Sequence, residues 1–293
     1  MSSIAIEVHN LSKFYGKNLG IESVNLSINK GEIFGFIGPN GSGKSTAIRA
    51  MMGLLIPSSG RINILGFDAQ TQGVEARKRV GYLPSEVNYY SEMNAREILE
   101  YHAKIYRIPN PQPLIEEKAG YFELDLDKPI DDLSFGNKKK CAIIQAVLHN
   151  PEVLILDEPT GGLDPLMQNR FFELMEDLNN QGTTLFFSSH ILSEIQRLCD
   201  RAAIIQKGKI KAVEDIHALL AKQMKKVRLI SLNDEDFNLP EGADNYHKSG
   251  RKHNFDYIGK PDGLIHWLSQ RNWQDVSLTE PDLESIFMNY YQR

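Results

Sequence analysis

The nine residues GPNGSGKST, Gly38 to Thr46, constrain the fold more than any other part of the chain. They fit the pattern GxxxxGK[ST] and stand between an apolar run, EIFGFI, and a helical pattern, STAIRAMMGLL. A buried strand before the loop and a helix after it are the context that gives the motif meaning. There the backbone N–H groups of Gly38, Pro39, Asn40, Gly41, Ser42 and Gly43 (all but the proline) can turn inward as an anion nest. Lys44 then reaches the β- and γ-phosphates of a nucleotide, Ser45 offers its hydroxyl to Mg²⁺, and Thr46 continues into the helix.

The surrounding pattern agrees with a nucleotide-binding α/β core. VLILD, TLFFSS and AAIIQ are near-continuous apolar runs, as in parallel strands buried on both faces. NAREILEYHAKIY and PLMQNRFFELMEDLNNQG read as crossover helices, the second closed by Gly182. IAIEV and VNLSI alternate instead, which predicts half-buried antiparallel strands. PNPQP, Pro109 to Pro113, introduces a polar helical excursion of weak periodicity. After KGKIKAVED the pattern changes again. KKVRLISL, HNFDYI and WQDVSL read as strands, GLIHWLSQ and EPDLESIFMNYY as helices, so the tail is a small α+β unit.

VLILDEPT, Val153 to Thr160, supplies the second half of a phosphate site. Its strand delivers Asp157 and Glu158 at the carboxyl end, where α/β sheets bind ligands. Asp157 suits Mg²⁺, directly or through water, and Glu158 suits polarisation of an attacking water.

LSFGNKKK, Leu133 to Lys140, precedes the apolar run CAIIQAVL. Ser134 reads as a helix N-cap, and an open helix N-terminus can take an anion. The three lysines read as solvated rather than as a steering patch. A net charge of −5 argues against general nucleic-acid binding. No run approaches the roughly 18–20 apolar residues that cross a bilayer, and MSSIAIEVHN does not read as a signal peptide. Cys141 and Cys199 form no metal-binding spacing, so reduced thiols are expected.

The cradle, LSFGN ahead of LDEPT, GGLDP at Gly161 to Pro165 and SSH at Ser188 to His190 follow one order. In that order the chain resembles the ATP-binding subunit of an ABC transporter, from about Ile4 to Asp215. The resemblance implies a P-loop ATPase core: a mostly parallel sheet, an antiparallel β subdomain and a helical subdomain. The expected domains are a nucleotide-binding domain over 1–217, its helical subdomain at about 86–150, and an accessory domain over 218–293. The tail is similar to that of ATP-binding subunits of bacterial drug, peptide and sodium exporters. Also implied are Mg²⁺ with ATP, a separate transmembrane permease, a homodimer or heterodimer of ATPase subunits, no nucleic-acid partner, and a peripheral place on the cytoplasmic face of the cell membrane.

Residue by residue, the resemblance makes Tyr15 the aromatic that stacks on adenine and His190 the contact to the γ-phosphate and attacking water. Glu158 is the catalytic carboxylate, and Ser45 and Asp157 attend the metal. Leu133, Ser134, Phe135, Gly136 and Asn137 form the signature that serves ATP bound to the opposite subunit, and Asp164 communicates across that dimer. Two departures stand out. Phe135 replaces a glycine and Asn137 a glutamine, and Ser85 occupies the usual slot of a metal-reaching glutamine, where it reaches Mg²⁺ through a water. Other readings stay open at this stage: an importer, a soluble ATPase acting on ribosomes or DNA, or an ATP-gated module without turnover. A single cradle with no coiled coil counts against the second, and intact Glu158 and His190 against the third.

Overall fold

The computed structural model describes residues 4–89, 92–216, 218, 224–234 and 236–279. The chain divides into two compact units, 1–213 and 214–293. The expected final helix over 280–291 lies outside the described residues.

The first unit holds two sheets. Strands β1 (Ile4–Tyr15), β2 (Asn18–Asn29), β4 (Ser59–Ile64) and β5 (Phe67–Asp68) make an antiparallel sheet in the order β2-β1-β4-β5. Ile6 and Val8 of IAIEV are buried as its alternation predicts, Ala5 is buried too while Ile4 is exposed, and register shifts after Val8 let β1 continue past Asn10 to Tyr15. The second sheet contains β3 (Ile33–Ile37), β6 (Val80–Leu83), β7 (Val153–Asp157), β8 (Thr184–Ser189), β9 (Arg201–Gln206) and β10 (Lys209–Asp215), ordered β10-β9-β3-β8-β7-β6. The β9-β3-β8-β7-β6 pairs are parallel. Every residue of β3, β7 and β8 is buried, which is why their sequences show no alternation. Phe34, Phe36 and Phe186 meet in this core, the last two with ring centroids 5.3 Å apart.

Helices α1 (Lys44–Met51), α2 (Gly73–Arg77), α3 (Ala95–Ile105), α4 (Gln112–Phe122), α5 (Phe135–Val147), α6 (Pro165–Asn180) and α7 (Leu192–Leu198) complete the unit. Asn94 and Glu97 form a reciprocal capping box at the start of α3. The polar excursion after PNPQP is α4, whose buried Ile115, Ala119 and Phe122 recur at helical spacing among polar residues. Gly182 follows α6 with φ 100°, the conformation a helix terminator needs.

In the second unit β11 (Met224–Ser231), β12 (Ala243–Ser249), β13 (Lys252–Ile258) and β14 (Trp273–Thr279) form an antiparallel sheet ordered β12-β13-β11-β14, accompanied by α8 (Pro261–Ser269). Val227, Leu229, Phe255, Tyr257 and Leu264 make its core, with Trp267 and Trp273 packed on it.

Candidate functional site

The loop 38–43 leaves the carboxyl end of β3 and delivers Lys44 as the first residue of α1. Gly43 sits at φ 108°, and a Cβ there would lie 2.8 Å from the Gly20 carbonyl oxygen. Only glycine fits that turn without strain. Helix α1 has no side-chain cap and no acidic residue in its first turn, so its N-terminus favours an anion. Lys44 is buried, and its Nζ donates to the carbonyls of Gly38 (2.6 Å) and Pro39 (3.3 Å).

Strand β7 brings the two carboxylates to the same end of the sheet. Asp157 is fully buried, and its Oδ1 accepts from Ser188 Oγ at 2.7 Å. Its Oδ2 is buried without a hydrogen-bond partner among the described residues. A buried carboxylate oxygen left this way costs about 1–3 kcal/mol or more unless a cation satisfies it. With the Ser45 hydroxyl at the start of α1, this donor set fits Mg²⁺, a hard cation that takes oxygen ligands. The charge of Asp157 also helps burial push the Tyr82 hydroxyl up to about 12.

Glu158 turns out of the strand with φ 47°, a left-handed conformation that costs a non-glycine residue roughly 1–2 kcal/mol. Its N–H is held by Ser188, through Oγ at 3.1 Å and the carbonyl at 3.2 Å. The side chain spans two cations or potential cations: Oε1 lies 3.2 Å from Lys44 Nζ and Oε2 lies 3.3 Å from His190 Nδ1. Ser188 thus orients both carboxylates. Within TLFFSS and SSH nothing marks Ser188 apart, and the signal that identifies it is its place on the strand beside β7, opposite Asp157.

A cleft of about 310 Å³ joins these pieces, lined by Tyr15, Asn40, Gly41, Lys44, Thr46 and Glu158 among others. Tyr15 is half exposed at the end of β1, with Lys13 Nζ 5.4 Å from its ring centroid. The cleft therefore has an aromatic face at one side and the cradle with Glu158 at the other. No signature residue lines it.

The signature stands at the start of α5. Leu133 is buried, while Ser134 and Phe135 are exposed. Ser134 is the N-cap, its Oγ accepting from the Asn137 N–H at 3.3 Å. Gly136 and Asn137 are half-buried in the first turn. The expectation of three solvated lysines is corrected here. Lys139 is 1% exposed and Lys140 is buried as well. Lys139 Nζ donates to the carbonyls of Pro84 (3.0 Å) and Ser85 (3.2 Å), because α5 packs one face of its first turns under the loop that follows β6. Burial pushes its ammonium down to about 8 against the opposing attraction of Asp157 and Glu158.

Asp164 is exposed and caps α6, accepting from the Met167 N–H at 3.0 Å, with Pro165 pre-set at the first helical position. Nearby, Thr160 and Ser189 both donate to the carboxylate of buried Glu194, which pins the segments after β7 and β8 together.

The ABC transporter family model matches residues 21–161. The bacitracin transport ATP-binding protein of Bacillus licheniformis is 34% identical, with 98% of this chain and 97% of that protein covered. The linearmycin resistance ATP-binding protein of Bacillus subtilis (strain 168) is 36% identical over 71% of this chain and 68% of its own length. Among solved structures, an ATP-binding subunit of an ABC transporter superposes with a TM-score of 0.70 at 31% identity, covering 73% of this chain and 91% of that one. A dimeric bacterial ABC transporter cassette gives 0.65 at 26% identity, with 72% and 98% covered.

Proposed function

The chain belongs to the ABC transporter family as an ATP-binding, ATP-hydrolysing subunit, and from that premise we propose that it is the peripheral motor of an exporter. It works at the cytoplasmic face of a membrane, bound to a separate transmembrane permease, as a homodimer or heterodimer of ATPase subunits. Among the described residues no helix is long and apolar enough to cross a membrane, so the cargo path is assigned to the partner. Export follows relatives named for bacitracin transport and for Nod factor export.

The observation that carries this reading is Glu158 held between Lys44 and His190 at the mouth of the Tyr15 cleft. Tyr15 stacks on adenine, and the loop 38–43 with Lys44, Ser45 and Thr46 cradles the phosphates. Glu158 accepts a proton from water as that water's oxygen bonds to the γ-phosphorus and the bond to the bridging oxygen breaks. Lys44 meets the charge that develops on the phosphoryl oxygens, and His190 orients Glu158 and the water. Mg²⁺, held by Ser45 and Asp157 with Ser85 through water, would neutralise phosphate charge.

Ser134, Phe135, Gly136 and Asn137 serve the nucleotide of the opposite subunit in a head-to-tail sandwich, with Leu133 buried beneath them and Asp164 facing the same interface. Their absence from the chain's own cleft supports that trans role. The nucleotide-binding domain is assigned to 1–217, its helical subdomain to about 86–150 and a stabilising accessory domain to 218–293.

Fractionation of cells producing the full chain, with and without a multi-span protein encoded beside it, tests the motor reading. The chain should sediment with membranes only when that partner is present, and alkaline wash should release it. A chain that stays in the soluble fraction with the partner present contradicts the proposal.

A further inference from the structure

Lysine buried within a helix carries a cost, since an ammonium removed from water must be met by hydrogen bonds and opposite charge. Lys139 meets that cost in one particular way. It is 1% exposed, and its Nζ donates to two successive carbonyls, of Pro84 and Ser85, on a loop 54 and 55 residues earlier in the chain. Those carbonyls lie just past the end of β6 at Leu83, so they point at the ammonium rather than into the strand ladder. Strand β6 is the neighbour of β7, which ends at Asp157. Five residues before Lys139, about one and a half turns of α5, stands Ser134, the N-cap.

A helix turn is stiff, so the Nζ contacts fasten the Ser85 loop to the signature. The two pieces have different clients. Under the sandwich reading, on which this inference rests, Ser85 faces the subunit's own nucleotide and Ser134 to Asn137 face the partner's. We propose that Lys139 is a positioning residue that couples the two ATP sites, by making the loop of one site and the signature of the other move as a single body. It touches neither nucleotide. A methionine of similar length would fill the space but leave both carbonyls without the donor, freeing the loop from the helix.

The test compares Lys139→Met with its parent in the full chain carrying Glu158→Gln. Amide hydrogen exchange, read without nucleotide, should rise together in 84–89 and 134–138. ATP affinity of the dilute monomer, read with a fluorescent ATP analogue, should change far less than the dimerisation midpoint, because Lys139 lies outside the cleft lined by Tyr15 and Lys44. The ATP concentration that drives dimerisation should rise about tenfold or more, as for loss of one charge-assisted tie. Lys139→Arg, which keeps donors and charge, should recover most of that shift. Lys139→Gln, milder for folding, should give the same changes in smaller measure. A parent-like dimerisation midpoint in both Lys139→Met and Lys139→Gln, or exchange that rises in only one segment, overturns the coupling. If the Glu158→Gln parent itself fails to dimerise, the sandwich reading falls instead, and the exchange data still decide whether Lys139 joins the loop to the signature.

Discussion

Phe135 lies against the backbone of Gly162, so close that a Cβ on Gly162 would fall 2.2 Å from the ring Cδ1. Gly162 also has φ 82°, which disfavours any side chain. The aromatic that departs from the family's signature is thus seated on the segment that leads to Asp164. Gly162→Ala should displace the ring and strain the turn together, costing about 1–3 kcal/mol of stability by urea unfolding. Adding Phe135→Gly should relieve the clash but not the strain, so the pair should be clearly non-additive. Additive losses would show that the ring and the turn are independent.

Lys44→Ala should nearly abolish ATP turnover. It removes charge-assisted hydrogen bonds worth about 1.5–3 kcal/mol each, and the field that meets the developing phosphoryl charge. A phosphate-release assay reads this directly, and near-normal hydrolysis would contradict the cradle assignment.

Ser134→Arg should leave ATP binding to the dilute subunit unchanged while blocking ATP-driven dimerisation. The cleft is lined by Tyr15 and Lys44, with Ser134 elsewhere on the surface at the start of α5. Equal loss of monomer affinity would place Ser134 in its own chain's site.

Acid should weaken the fold through two imidazoles. His149 Nε2 faces the Val80 carbonyl at 3.3 Å, and its Nδ1 lies 3.4 Å from His102 Nε2. The carbonyl accepts, so His149 donates through Nε2 and accepts from His102 through Nδ1. Burial pulls both rings down to about 4, aided for His102 by its neighbour and opposed for His149 by the Val80 bond. The unfolded chain takes up protons near 6.5, earlier than the folded one. Stability from this pair is therefore complete above about pH 6.5 and lost as pH falls toward 4, at no more than about 1.4 kcal/mol per pH unit for each ring. Urea midpoints at pH 7.5 and pH 5 should fall further for the native chain than for His149→Gln; parallel curves would refute the assignment.

The cradle was legible because a turn such as that at Gly43, beside Lys44, accepts only glycine, and because β3 and β7 are so apolar that burial on both faces was the one consistent reading. Strand β12 was not legible: ADNYHKS is an edge strand with six of its seven residues exposed, so it shows no apolar period. Lys139 was misread for a related reason. Its partners are backbone carbonyls more than fifty residues away, and nothing in NKKKC distinguishes a lysine beneath a loop from one in solvent. Ser188 was hidden likewise, since its bond to Asp157 exists only through parallel pairing of β7 and β8. The motifs written within one loop or strand were readable, and the contacts by which Lys139 and Ser188 reach another element were not.

The sandwich of two ATP sites is tested most directly by Glu158→Gln. Glutamine keeps the shape of the side chain between Lys44 and His190 but cannot take the proton from water. Turnover should fall by roughly 10²–10⁴, the usual worth of a general base. ATP and Mg²⁺ should then persist in the site and hold two subunits together. Light scattering coupled to size exclusion should show a monomer without nucleotide and a dimer with saturating Mg²⁺ and ATP. A Glu158→Gln chain that binds ATP and remains monomeric would contradict the account.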